Sequence, residues 1–180
     1  MEQLQSVPMQ VKKSKEQQFV QFIIERCKQD KGFAARLRRA DNPATEYQSW
    51  EVLGPWVDLE NKYQRLPYAA VAAAIGRAKV IANGNLSLGK ALANAYAEKG
   101  STQYSDQAKA RLRRLLACDS VEEVCRVIRP VLTLIDSKGV QTLDYSKLLS
   151  ELRYFGEKSK IRWAQDFYGQ RAQGEQGEDA

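Results

Sequence analysis

From Val121 to Ile135 the residues Val121, Val124, Cys125, Ile128, Val131, Leu132 and Ile135 recur three and four positions apart. That spacing places all seven on one side of an α-helix, whereas a strand would scatter them over both faces. A stripe this long needs a second apolar surface to cover it, so the chain must pack helix on helix. The same period returns in Phe19, Phe22, Ile23 and Cys27, in Leu88, Ala91, Leu92 and Ala95, and in Tyr145, Leu148, Leu149, Leu152 and Phe155. The expected fold is all-α, two packed helical bundles.

Start and stop signals divide the chain. Ser14 with Gln17 has the form of a capping box and predicts a first helix from about Lys15 to Gln29. A short helix follows, with Phe33 and Leu37 inward, until Asp41-Asn42-Pro43 stops it. Tyr47, Trp50 and Leu53 suggest another turn or two; aromatics at helical spacing are assigned to the core and not to base stacking. Pro67 suits the first turn of a helix running through Tyr68, Val71, Ala72, Ile75 and Ala78 to the Asn83-Gly84-Asn85 turn.

Further along, Ser87 caps the next helix, and Ser120 with Glu123 forms a second capping box before the long stripe, which Pro130 should kink. Asp144 caps a helix that Gly156 separates from a last one, with Ile161, Ala164 and Phe167 inside and Trp163 and Tyr168 completing the packing. After the Ser87 helix and before the basic helix, the Ser, Thr, Gln and Gly composition of Gly100–Ser105 marks a boundary. This gives an N-terminal bundle over 1–100, a C-terminal bundle over 101–168 and a disordered tail over 169–180.

Charge is distributed unevenly. The net charge is +6, and residues 31–120 hold 14 Lys and Arg against 8 Asp and Glu, so the surplus lies in the middle of the chain. Such a surplus favours an anionic partner: nucleic acid, an acidic protein or an anionic membrane surface. No window approaches the roughly twenty apolar residues of a bilayer span, so a soluble, cytosolic protein is expected. Cys27, Cys118 and Cys125 are too scattered for a disulfide framework or metal knuckle, and Cys125 reads as a small buried hydrophobe.

The chain has no histidine. That removes Ser-His and Cys-His nucleophile pairs, histidine metal ligands and the side chain that normally titrates near neutral pH. No Gly-rich phosphate loop and no closely spaced acidic cluster compensates. The expectation is a protein that is not an enzyme, with no catalytic residues, no metal and no cofactor.

Three motifs carry a family resemblance: Ser87-Leu88-Gly89-Lys90-Ala91-Leu92-Ala93, a basic helix ending in Leu115-Leu116-Ala117-Cys118-Asp119, and Arg162-Trp163-Ala164-Gln165-Asp166-Phe167-Tyr168. Together they resemble the small subunit of type I-E CRISPR Cascade complexes, over roughly Gly32 to Tyr168. The resemblance implies a helical, non-enzymatic protein present as two copies along the belly of the complex, where it holds nucleic-acid strands of the R-loop. The implied partners are guide RNA, target DNA, the backbone and large subunits, and a second copy of itself.

Candidate nucleic-acid-binding residues follow from the cationic segments. Lys31 to Ala40 has four cations and no acid, and offers Arg36, Arg38 and Arg39. The resemblance adds weight to the Arg38-Arg39 pair and to Lys90, whose counterparts lie on the family's basic face. Lys79 is a candidate phosphate contact, although a cation near a helix end also has a purely dipolar explanation. In the basic helix, Ala108, Leu112, Leu115 and Leu116 cover one side while Arg111, Arg113 and Arg114 border it.

On the long helix Arg126 and Arg129 lie opposite the stripe. Glu122 stands four residues before Arg126 in good orientation for an ion pair, whereas Cys125 and Thr133 flank Arg129 at that spacing, leaving it without a helical partner. Some relatives carry arginines around the turn where this chain has Ala117 and Ser120, so the resemblance transfers no residue role there. An alternative class is a helical adaptor whose basic face meets an acidic protein, since the same cations serve both.

Overall fold

The computed structural model describes residues 11–97, 105–139 and 142–169. Among them are nine α-helices: α1 (Lys15–Gln29), α2 (Lys31–Leu37), α3 (Trp50–Leu53), α4 (Lys62–Ala78), α5 (Leu88–Ala95), α6 (Asp106–Leu116), α7 (Val121–Lys138), α8 (Tyr145–Arg153) and α9 (Glu157–Tyr168). The fold is all-α. A 3-10 turn, Glu46–Ser49, leads into α3, and no strand is present among the described residues beyond a single parallel bridge between Leu86 and Leu143.

Local chemistry accounts for most helix boundaries. Ser14 accepts from the Gln17 backbone while Gln17 returns the bond to the Ser14 backbone, and so α1 begins with two orphan donors satisfied. Asp30, Asn61, Ser105, Ser120 and Asp144 each accept a first-turn N–H in the same manner. The second capping box is half formed: Ser120 accepts from the Glu123 backbone, but the Glu123 carboxylate takes the Asp119 N–H.

The central helix starts earlier than the sequence suggests. Asn61 caps α4 six residues before Pro67, which lies inside the helix, and α4 stops at Ala78 with Lys79 in the left-handed region at φ 50°. From Pro67 to Gly76 every residue of α4 is buried. It packs on α1, α2, α7 and α8, while α5 lies against α9 and α6. Residues of both expected bundles therefore enter one contiguous apolar cluster, from Phe19 in α1 to Phe167 in α9. The segment 98–104, which holds most of the expected boundary, and the tail 170–180 lie outside the described residues.

Close approaches depend on glycine at two points. A Cβ on Gly89 would stand 2.3 Å from the Trp163 carbonyl oxygen, so α5 can lie against α9 only without a side chain there. A Cβ on Gly84 would fall 1.8 Å from the Thr142 carbonyl oxygen. The Asn83-Gly84-Asn85 turn is in fact a joint: Asn83 bonds the Asp144 and Ser146 side chains and the Tyr145 N–H, and Asp144 N–H donates to Leu86 O at 2.8 Å.

Several aromatic and apolar positions differ from expectation. Tyr47 and Trp50 are exposed and not in the core: the buried positions of this stretch are Ser49 and Leu53, four residues apart, and the two aromatics lie off that line. Trp56 instead packs edge-on to Phe19 and against Phe22. In α9 the buried line is Ser159, Trp163 and Phe167, which leaves Ile161 and Tyr168 exposed. Trp163 favours that rotation, because its indole N–H donates to the buried Glu151 carboxylate at 2.7 Å.

Candidate nucleic-acid interface

At the C-terminal end of α2 the chain leaves the helix through Arg38, Arg39 and Ala40, and Ala40 is fully buried. This anchors Asp41 beside the C-terminal part of α4, with its side chain 4% exposed. Two guanidinium groups meet its Oδ2: Arg77 of α4 at 2.9 Å and Arg129 of α7 at 3.6 Å. Arg38 Nε donates to the Gly76 carbonyl at 2.9 Å, and Arg77 donates to the Arg38 carbonyl. Cations from α4 and α7 thus meet at one carboxylate carried by the turn after α2.

The pairing of Arg129 departs from the sequence reading. No acid stands four residues away on its own helix, yet Asp41 reaches it from the turn after α2. The predicted Glu122–Arg126 pair gives way as well, because Glu122 binds Lys62 of α4 at 2.7 Å. That leaves Arg126 exposed and without an ion-pair partner among the described residues, within electrostatic range of Glu122. Next to it, burial pushes the Cys125 thiol up to about 12, so the α7 surface facing α4 is neutral at that point.

Between α4, α7 and the turn at 40–46 runs a groove of about 450 Å³. Leu66, Ala69, Ala70 and Cys125 line it on the apolar side, and Asp41, Glu46, Glu122, Arg126 and Arg129 on the polar side. Arg65 lies 3.9 Å from Glu46 at the same rim. Of the candidates, the structure brings Arg126 and Arg129 to this groove, while Arg38 is held at the Gly76 carbonyl. Arg39 is exposed at the same corner, its carbonyl accepting from the Thr45 hydroxyl.

The others are placed elsewhere. Arg36 lines a different hollow with Phe22, Arg26, Phe33, Glu51, Val52 and Trp56, since two helical positions separate it from Arg38 by more than half a turn. Lys79 lies past the end of α4 and lines a third hollow, of about 840 Å³, with Asn83, Asp136 and Tyr145. Lys90 is exposed on α5, next to the buried Gly89. On α6, Arg113 and Arg114 are exposed, while Arg111 is half-buried with its Nε donating to the Tyr96 hydroxyl.

Asp41 and Arg77 are the members of the cluster that sequence reasoning missed. Asp41 was legible as part of a helix stop, and nothing local in the sequence signals that it meets Arg77. Burial also pushes the Cys27 thiol up to about 11, against the pull of the nearby Arg38 guanidinium. Among the described residues no group of three or more Cys, Asp or Glu is placed to hold a metal, and no helix is long and apolar enough to cross a membrane.

Compared with protein families, residues 34–168 match the one described as CRISPR-associated protein Cse2. The chain belongs to the Cse2 family. The match begins within α2 and ends with α9, so it takes in every candidate residue above. In fold the Cse2 chain is similar to a chain of a structure described as a CRISPR RNA-guided surveillance complex, with TM-score 0.70 and 21% identity over 90% of this chain and 96% of that one. It is also similar to M. ruber CasB, with TM-score 0.69 and 23% identity over 92% of this chain and 98% of that one. Among curated proteins the sequence has no match.

Proposed function

We propose that this Cse2-family chain is the non-enzymatic small subunit of a type I-E CRISPR Cascade surveillance complex in the cytoplasm. In this reading it holds guide RNA with target DNA, and the displaced strand, by their backbones on a basic face, and so stabilises the R-loop. The observation that carries it is the pair Arg126 and Arg129 on the rim of one groove, with Arg38, far away in sequence, held on the Gly76 carbonyl of the same central helix. Family membership and the likeness in fold to a chain of a surveillance complex support the same reading.

Guanidinium groups set along a surface neutralise phosphates and release counterions, which gives affinity without sequence readout. Exchange of a DNA duplex for a guide–target heteroduplex is nearly balanced in energy, so a few backbone contacts decide whether the strands stay open. The partners in this reading are the backbone and large subunits and a second copy of the chain. Helices α1–α5 and α6–α9 are proposed as two helical groups, divided in sequence near residue 100, that share a core.

The test is binding of a fluorescent single strand to the full chain across a salt series, with Arg38, Arg126 and Arg129 replaced together by Ala. The expected result is a salt slope reduced by about 3 and a correspondingly weaker affinity at low salt. Unchanged affinity and slope would defeat the proposal and leave the basic face to an acidic protein.

A further inference from the structure

We propose that the groove between α4 and α7 receives one unstacked nucleobase of a bound strand, with the phosphate of that nucleotide on Arg126 and Arg129. This rests on the backbone-binding reading and goes beyond it, because contacts to a backbone require cations but no pocket. The groove has a built interior. Ala69 and Ala70 contribute nothing past Cβ, and Leu66 and Cys125 complete an apolar surface. Its volume of about 450 Å³ lies within the range of clefts that enclose small ligands.

The rim selects the occupant. Arg126 is left unpaired because Lys62 takes Glu122, and the Arg129 side chain, oriented by Asp41 at 3.6 Å, is still 46% exposed. An apolar ring with an anion a few bonds away is the chemistry of a nucleotide; an aliphatic side chain of a peptide has no such anion attached. The groove and the residues paired to its rim, Lys62, Arg65, Arg77, Arg126 and Arg129 against Asp41, Glu46 and Glu122, keep a positive balance.

The experiment compares two fluorescent single strands of equal length on the full-length chain, one of mixed sequence and one built of abasic sites, across a salt series. Burial of roughly 60 Å² of base surface makes the mixed strand bind about tenfold tighter, with equal salt slopes. Ala70→Leu, which fills the groove, is expected to bring the mixed strand down to the abasic level and leave abasic binding unchanged. A mixed strand carrying 2-aminopurine gives a readout free of any variant: its fluorescence rises on binding as the base leaves the stack. Equal affinities of the unmodified protein for both strands, or no fluorescence change at any probe position, overturn the base pocket. If salt-dependent binding persists in that case, the backbone reading stands alone; if neither strand binds, both fall.

Discussion

Around Asp41, Arg77 and Arg129 share one carboxylate and Arg38 is held by the Gly76 carbonyl. On α6, by contrast, Arg113 and Arg114 project from an exposed face whose opposite side, Ala108, Leu112 and Leu115, is buried. The two regions have similar composition in sequence and different physics in the fold. The first set is oriented before any ligand arrives and contributes to holding α2, α4 and α7 together. The second set is mobile at its side chains and must lose rotamer freedom to grip a phosphate.

Four experiments break or sharpen that contrast. Asp41→Ala is expected to have the largest effect, a loss of about 2 to 3 kcal/mol, because it leaves the largely buried Arg77 without its counter-charge. Urea denaturation reads it as a lower midpoint at unchanged m-value. Stability equal to the parent would mean the Asp41 cluster holds nothing together.

Next comes the Arg38, Arg126 and Arg129 triple replacement, expected to weaken single-strand binding by roughly fifty-fold at low salt through loss of about three phosphate contacts. The Arg113→Ala, Arg114→Ala double variant should reduce the slope by about 2 while changing stability by less than about 0.5 kcal/mol. If that pair destabilises the fold as Asp41→Ala does, the distinction between the two regions disappears.

The smallest expected effect concerns a buried carboxylate without Asp41's arginines. Glu151 is 4% exposed, and burial raises its pKa above the ordinary 4.5, opposed by the Trp163 hydrogen bond and the nearby Lys147 and Arg162. The folded chain therefore keeps this proton to a higher pH than the unfolded chain does. Stability from this group falls as pH rises from the ordinary value through the raised one. Glu151→Gln should show a higher Tm than the parent at neutral pH, with the difference vanishing near about pH 3. A pH-independent difference would place the effect in packing.

Much of the fold was legible residue by residue. The capping box at Ser14 fixed the start of α1, and the stripe from Val121 to Ile135 is the buried face of α7. Misreadings occurred where a local pattern competed with a distant partner. Ile161 has the right spacing to face inward, but Trp163 must bury more surface and reach Glu151, so α9 is turned to suit it. Pro67 looked like a helix start, yet the Asn61 cap and the packing of α4 on α7 and α8 carry the helix past it.

The candidate cations were visible in the sequence as an excess of charge in the middle of the chain, and their grouping was not. Arg36 and Arg38 are two residues apart yet part company, Arg36 lining the hollow beside Trp56 and Arg38 bonding the Gly76 carbonyl, whereas Arg77 and Arg129 are far apart in sequence and meet at Asp41. Periodicity and capping are short-range effects, set by side chains within a turn or two, so the amino-acid sequence alone was enough for the helical class and for the buried faces of α5 and α7. Which arginine meets which carboxylate depends on how α2, α4 and α7 cross, and that is decided only when the helices bury one another.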